Sequence, residues 1–258
     1  MALFIFDAAQ AQTIHLILEW LAIAVGVQIY RRQKRLSALQ SPTTESGQIL
    51  ADGNFAIVLG CILGAAIGNK LVFWIEVPHL WSSVNHNINT LLSGQSIVGG
   101  LLGGLLGVEI AKKITHQTQS TGDLFIPPLI VATIIGRTGC FLAGLNDGTF
   151  GNPTQLPWGI DFGDGITRHP TQVYDMLFVL IWGGLIISLK MKLRHKAGLS
   201  FKLYLSGYLC WRFVIDSIKP VPYEYFYHLS GIQVVCLTAL IIYIPLTIAQ
   251  LISKESLT

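Results

Sequence analysis

The chain has 258 residues, of which 52% are hydrophobic and 12% charged, with a net charge of +3 and a mean hydropathy of +0.56. Soluble domains carry about 25% charged residues, so this chain has too little polar material to wrap a water-facing surface. Disorder, which needs low hydrophobicity and high charge, and a disulfide scaffold, which four cysteines cannot build at this length, are excluded as well.

The expected fold class is all-α: a polytopic membrane protein with about seven transmembrane helices. A barrel would show alternating segments of about 10 residues, whereas here the apolar runs are long and continuous. A span needs about 20 mostly apolar residues. The stretches that qualify are Ile14–Tyr30, Phe55–Ile75, Ser96–Ala111, Leu124–Leu145, Val173–Leu189, Leu203–Ile218 and Ile232–Ile252, the third and sixth being short. Met1–Phe6 is too short for a signal-peptide apolar region and has no basic start, so the first span is expected to stay. Residues 1–258 are read as a single domain with an outer loop, 146–172.

Basic residues set the expected orientation. Arg31, Arg32, Lys34 and Arg35 follow the first span, Lys112 and Lys113 the third, Lys190, Lys192, Arg194 and Lys196 the fifth, and Lys254 the last. With an odd number of spans they fall on one side, which the positive-inside rule makes cytoplasmic. The N-terminus then faces outward and the C-terminus inward. Short basic clusters between apolar runs suit orientation in a membrane and not a nucleic-acid stripe. Trp81, Trp158, Tyr223, Tyr225 and Tyr227 fall in outer segments, where interfacial anchors belong.

The second span contains Gly60, Gly64 and Gly68, and the third Gly99, Gly100, Gly103, Gly104 and Gly107. Small residues four apart let helix backbones approach closely in lipid. Plain packing and a glycine wall beside a cavity are both compatible with the pattern. Cys61, Cys140, Cys210 and Cys236 all lie within spans and are not expected to form disulfides.

The informative feature is ionisable residues inside spans: Glu19, Lys70, Glu109, Arg137, Asp175, Arg212 and Asp216. Each costs about 2.5–3.5 kcal/mol at a helix centre on insertion scales, so it faces the bundle interior, pairs, or lines a wet cavity. Arg137 lies too deep to snorkel, and its planar fork suits phosphate; a buried ion pair is the alternative. Cys140 and Gly144 share its helical face. Tyr208, Arg212 and Asp216 are four apart, so hydroxyl, guanidinium and carboxylate fall in one line. An intrahelical Arg212–Asp216 pair is the bland alternative. His15 and Glu19, also four apart, are a candidate proton-transfer pair, or else Glu19 pairs with Lys70 or Arg137. Lys70 and Glu109 are read as snorkelling or paired residues. The outer loop is dense in Gly, Pro, Asn and Thr and is expected to lack regular structure; Arg168 and His169 stand where it meets the fifth span. Two deep arginines, nearby donors and a histidine form a pocket complementary to an anionic headgroup whose acyl chains stay in lipid.

At these residues the chain resembles the prolipoprotein diacylglyceryl transferase family. The resemblance is carried by Gly136-Arg137-Thr138-Gly139, Pro157-Trp158-Gly159, Phe162 and Arg168-His169-Pro170-Thr171-Gln172 with Tyr174. It is supported by Gly99-Gly100-Leu101, by Tyr208 with Arg212, by Asp216 at a place the family usually fills with Glu, and by Ser230 and Gln233. The resemblance implies transfer of the diacylglyceryl group of phosphatidylglycerol to a lipobox cysteine thiol of a preprolipoprotein signal peptide, on the outer side of the bacterial plasma (inner) membrane. It implies that Arg137 and Arg212 bind the phosphate, that Tyr208 orients it, and that Arg168 and His169 shape the outer rim. Gly99, Gly100, Cys140, Gln172 and Asp216 are the further substrate-binding candidates. The glycine after the family's core falls on Gly148 or Gly151. Where the family has a histidine before the glycine pair, this chain has Val98. Cys140 replaces an asparagine, Ala143-Gly144-Leu145 an Asn-Gly-Glu, and the Glu19-Trp20 neighbourhood a tyrosine. The thiol's base is then Glu19, His15 or His169. The other readings are a lipid-group transferase with a different acceptor and a non-catalytic phospholipid-binding or transport protein. No cofactor and no metal are expected.

Overall fold

A computed structural model of the chain describes residues 7–40, 52–82, 94–193 and 195–253. Met1–Phe6, Arg194, Lys254, the side chain of Trp81 and most of the loop before Gln95 lie outside the described residues. The described chain is almost wholly helical: α1 (Ala8–Gln40), α2 (Asp52–Glu76), a single turn at His79–Ser82, α3 (Ile97–Ile114), α4 (Ile126–Ala143), α5 (Thr171–Leu193), α6 (Leu199–Ile215) and α7 (Gly231–Ile252). These are the expected spans with shifted ends. The largest shift is in α1, whose 33 residues extend about 50 Å at 1.5 Å per residue. Its basic cluster therefore continues the helix beyond the apolar stretch. Among the described residues, five helices are long and apolar enough to cross a membrane: α1, α2, α4, α5 and α7. The other two are those whose apolar runs are short. α3 carries Glu109, Lys112 and Lys113 in its 18 residues, and α6 has 17 residues.

Burial is inverted relative to a soluble protein. Arg137, Arg212, Asp175 and Asp216 are buried, while Ile62, Ile67, Leu180, Ile181 and Ile241 are exposed. Apolar side chains spread over several helices would be an aggregation surface in water; against lipid tails they cost nothing. The chain is a multi-pass helical membrane protein.

The chain divides into two compact units. The first comprises residues 1–34, 121–220 and 243–258. Its apolar centre is Ile126, Ile130, Ile186 and Tyr204, with Trp182 and Phe201 packed against them. Asp123 joins a loop to a helix start, its carboxylate accepting from the backbone N–H groups of Gly198 (2.8 Å) and Phe201 (2.9 Å). Those donors lie at the N-terminus of α6, where helix geometry leaves N–H groups without intrahelical partners.

The second unit comprises residues 35–120 and 221–242. Its organising contact is α2 against α3. A Cβ on Gly60 would strike the Gly107 carbonyl, on Gly64 that of Gly103, and on Gly68 that of Gly99. The two glycine series therefore face each other backbone to backbone, the packing that small residues four apart permit in lipid. Gly99, expected at a substrate site, is part of this seam; Gly100, one residue on, has only Ala65 and Asn69 near its Cβ position. Lys112 pairs with Glu109 at 3.0 Å, so Glu109 takes the paired of its two expected readings, and Lys70 donates to the Gly94 carbonyl at 2.7 Å.

The loop 146–172 departs from its expectation. Ile160–Asp161 and Thr167–Arg168 form an antiparallel pair, Ile160 opposite Arg168 and Asp161 opposite Thr167. The hairpin closes because the Asp161 carboxylate accepts from the N–H groups of Gly163 (2.8 Å) and Gly165 (3.0 Å), with both glycines at positive φ. Composition alone reads as irregular loop; the side-chain turn supplies the missing order.

Candidate functional site

The first unit gathers charge between α4, α5 and α6. Arg137, in the second half of α4, sets its Nε 2.9 Å from Oδ2 of Asp175. Arg212, near the end of α6, donates from Nη1 to the same oxygen at 3.3 Å and from Nη2 to Oδ1 of Asp216 at 3.5 Å. The other Asp175 oxygen accepts from the indole N–H of Trp211 at 2.7 Å. Asp175 has no exposed surface, and Arg137 and Arg212 are 8% and 3% exposed. The expected Arg212–Asp216 pair is therefore present, but as one limb of a larger cluster. Asp175 stands at its hub.

Lys219, just beyond α6, completes the cluster. Its pKa is pushed down to about 7 by burial and by the Arg212 and Arg137 charges, against the opposing pull of Asp175 and Asp216. Three cationic side chains thus meet two carboxylates. Two of the three cations are planar forks, each of a shape that can hold an oxyanion through paired N–H groups. Tyr208, one turn before Arg212 and 1% exposed, lines the same face of α6.

A second cluster lies at the end of α4. Gly139 has no Cβ, and one placed there would sit 3.1 Å from Leu18 Cβ, so α1 can approach closely and bring His15 in. The chain then turns back through a 3-10 segment, Gly144–Asp147, bracketed by Gly144 at φ 59° and Gly148 at φ 67°, the left-handed backbone that glycine tolerates without strain. The turn delivers Asp147 to His15, Nδ1 to Oδ1 being 2.7 Å. His15 is thereby partnered by Asp147 and not by Glu19. Among the described residues Glu19 has no hydrogen bond or ion pair, and Arg137 is held by Asp175 instead. Thr149 donates to the second Asp147 oxygen, Gln172 Nε2 donates to the Thr149 hydroxyl at 3.2 Å, and Thr171 donates to the Thr149 carbonyl at 2.6 Å. Gln172, a substrate-binding candidate, is thus engaged in holding this turn. Cys140 is buried on the same face of α4 as Arg137, adjoining His15 and Asp147.

The rim residues are tied into the loop. Both terminal nitrogens of Arg168 donate to the Asp164 carboxylate at 2.7 Å, and its guanidinium lies 5.0 Å from the Phe150 ring centre. Arg168, expected to meet substrate, is satisfied by its own hairpin. His169 Nδ1 lies 3.3 Å from the Tyr174 hydroxyl, which also accepts from Trp158 Nε1 at 2.7 Å. The Pro-Trp-Gly stretch is in this way fastened to the first turns of α5, next to Asp175. Gly151 is a tight glycine of the loop: a Cβ there would meet His169 Cβ and the Ile218 carbonyl. Gly148 has open space at its Cβ position and serves the turn.

Beside Asp175 and Trp211 runs an apolar groove of about 330 Å³, lined by Tyr174, Leu177, Phe178, Ile181, Trp182 and Trp211. Phe178 stacks on Trp211, ring centres 4.6 Å apart. Trp211 therefore has one side in the groove and its indole nitrogen on the carboxylate at the hub of the cluster.

A helical membrane protein with paired arginines buried beside an apolar groove belongs with proteins that handle an anionic lipid. Sequence comparison is more specific. The family model described as prolipoprotein diacylglyceryl transferase matches residues 13–249, and the chain belongs to that family. It is similar to the phosphatidylglycerol–prolipoprotein diacylglyceryl transferase of Clostridium tetani, 31% identical over 197 residues, covering 73% of this chain and 76% of the relative. The proteins of the same name from Dehalococcoides mccartyi, 30% identical over 201 residues (72% and 74% of the two chains), and Bordetella parapertussis, 29% over 209 residues (74% and 72%), are similar too.

Proposed function

We propose that this protein transfers the diacylglyceryl group of phosphatidylglycerol to a lipobox cysteine thiol of a prolipoprotein. The observation that carries the reading is the convergence of Arg137 and Arg212 on Asp175 beside an apolar groove. The phosphate of the lipid is held by the guanidinium forks, and an acyl chain lies along Leu177, Phe178, Ile181 and Trp182. In the reaction the acceptor sulfur forms a bond to the terminal glycerol carbon. The bond from that carbon to the phosphate oxygen breaks, and glycerol phosphate leaves with the electron pair. Charge grows on the departing phosphate, so donors already fixed in place by Asp175 and Asp216 stabilise the transition state more than the ground state. Tyr208 orients the phosphate from the same helix face as Arg212. Low polarity around the site strengthens each of these interactions.

The site faces the outer leaflet of the bacterial plasma membrane. The distribution of Arg31, Arg32, Lys34, Arg35, Lys112, Lys113, Lys190 and Lys192 supports this by the positive-inside rule. The partners are phosphatidylglycerol and the signal peptide of a preprolipoprotein. Complementation of a strain depleted of its own diacylglyceryl transferase tests the function. Growth and lipoprotein modification are expected to return with the wild-type chain and not with Arg137→Ala expressed at equal level. Failure of the wild-type chain, correctly inserted, to restore either contradicts the reading.

A further inference from the structure

The phosphate chemistry leaves one group of side chains unused. His15, Cys140 and Asp147 each offer a ligand atom, and the three atoms all lie within 4.8 Å of one another. They come from three places in the fold: the first span, the last turn of α4, and the 3-10 turn that follows it. Each has a structural reason to be there. Gly139 admits α1, the two left-handed glycines fold Asp147 back, and Thr149 holds the far carboxylate oxygen, so that the near one faces His15. Gln172 in turn holds Thr149. A carboxylate oriented by a hydroxyl that is itself oriented by an amide is the outer-shell support that metal ligands use.

We infer that His15, Cys140 and Asp147 form a zinc site. One imidazole nitrogen, one thiolate and one carboxylate oxygen are a borderline-soft donor set that fits Zn²⁺ and not Mg²⁺ or Ca²⁺, which take oxygen donors. The thiolate and carboxylate together neutralise the ion's two charges. Metal–ligand distances of about 2.0–2.3 Å put tetrahedral donor atoms roughly 3.3–3.6 Å apart. Small side-chain rotations reach that spacing. The ion takes the place of the proton shared by His15 Nδ1 and Asp147 Oδ1.

Three protein ligands leave a fourth position open, the arrangement of a catalytic and not a structural zinc. On the transferase reading above, which this assignment of the fourth position rests on, the occupant is the acceptor thiol. It binds as thiolate, its proton passing to water. The sulfur then forms its bond to the glycerol carbon, the carbon–oxygen bond to the phosphate breaks, and the phosphate takes the electron pair. The resulting thioether is neutral, a poorer ligand than thiolate, and leaves the metal. Cys140 lies three residues after Arg137 on one face of α4, so sulfur and phosphate are brought to the same carbon from adjacent positions.

The test is metal binding by the full-length protein in detergent, stripped with a chelator and reloaded with Zn²⁺ or Co²⁺. The expected result is about one tightly held Zn²⁺ per chain. With Co²⁺, tetrahedral visible bands and a thiolate-to-cobalt charge-transfer band are expected. Cys140→Ser abolishes the charge-transfer band, His15→Ala and Asp147→Asn remove stoichiometric metal, and Thr149→Ala weakens affinity about 10-fold or more. Cys140→His, which keeps a ligand at that position, retains Zn²⁺ while losing the charge-transfer band, and so separates lost ligation from lost folding. Absence of stoichiometric Zn²⁺ from the wild-type chain, or equal binding by His15→Ala and Cys140→Ser, overturns the site. Transfer to a lipobox peptide that is undiminished in the metal-free protein overturns the role given to the fourth position, whatever the metal content.

Discussion

Arg137 and Arg212, on different helices, meet at a single atom, Oδ2 of Asp175, at 2.9 and 3.3 Å. Two guanidinium groups drawn to one oxygen stand close enough to hold one phosphate. Asp216 adds a second carboxylate, which reaches only Arg212. On the proposed function, the arrangement fixes both forks before substrate arrives.

Asp175→Asn keeps the shape, and its side-chain oxygen can still accept from Trp211, but the counter-charge is gone. Removing one partner of a buried ion pair costs about 3–5 kcal/mol, so a marked drop in unfolding temperature in detergent is expected. A variant as stable as the wild type contradicts the hub role of Asp175.

Arg137→Lys and Arg212→Lys test the forks themselves. Lysine keeps the charge but not the planar pair of donors. Each variant is expected to lose about 10²–10³-fold in kcat, the magnitude seen when one fixed donor to developing charge is removed. The loss should fall on kcat more than on KM. Variants whose KM alone rises would show that the arginines bind lipid without assisting the chemistry.

The account also predicts a pH dependence from Lys219, held near 7 by burial and by its arginine neighbours. Below that value it is charged and the cluster carries its full positive complement. Above it one cation is lost. Binding of phosphatidylglycerol is therefore expected to weaken several-fold as pH rises from about 6 to about 8, and Lys219→Met should flatten the profile. Stability of the lipid-free protein runs the other way. The unfolded lysine titrates near 10.4, so between about 7 and 10 the folded state holds one proton fewer than the unfolded, and stability rises with pH across that window. A flat lipid-binding profile in the wild type contradicts this role.

Phe178→Ala opens the groove wall where the ring stacks on Trp211. A higher KM for long-chain phosphatidylglycerol is expected, with little change for a short-chain analogue that does not reach Phe178. Equal effects on both lipids would remove the groove from the substrate path.

Gly64 and Gly103 face each other across the α2–α3 seam. Gly64→Leu has no room and is expected to destabilise that unit by about 1–3 kcal/mol, the usual cost of overpacking, read as lower thermal stability or protease resistance. Full tolerance of the substitution would contradict the seam.

Much of this was legible from residues. Hydropathy placed the helices, because length and apolarity are what a bilayer demands of them. The depth of Arg137 and Arg212 marked them for the same reason. Partner choice was not legible. His15 has Glu19 one turn away on its own helix, and local spacing favours that pair, but the two glycines around the Gly144–Asp147 turn bring in Asp147 instead. Asp175 reads as one more charge near a helix start until α4 and α6 both pack against its helix. Arg168 reads as a rim residue, and its pairing with Asp164 depends on a hairpin turn that composition does not reveal. The packing of Gly99 against Gly68 is visible only once the opposing helix is in place. Except for Arg168, whose partner is four residues away, the deciding contact is tertiary, between segments whose local patterns say nothing of one another.

The most direct measurement is mass spectrometry of a lipobox peptide incubated with the purified protein and phosphatidylglycerol vesicles. The account predicts a peptide heavier by one diacylglyceryl group in thioether linkage at its cysteine, with glycerol phosphate released in equal amount, and neither product from Arg137→Ala. A folded wild-type protein that binds phosphatidylglycerol yet leaves the peptide unmodified would contradict it.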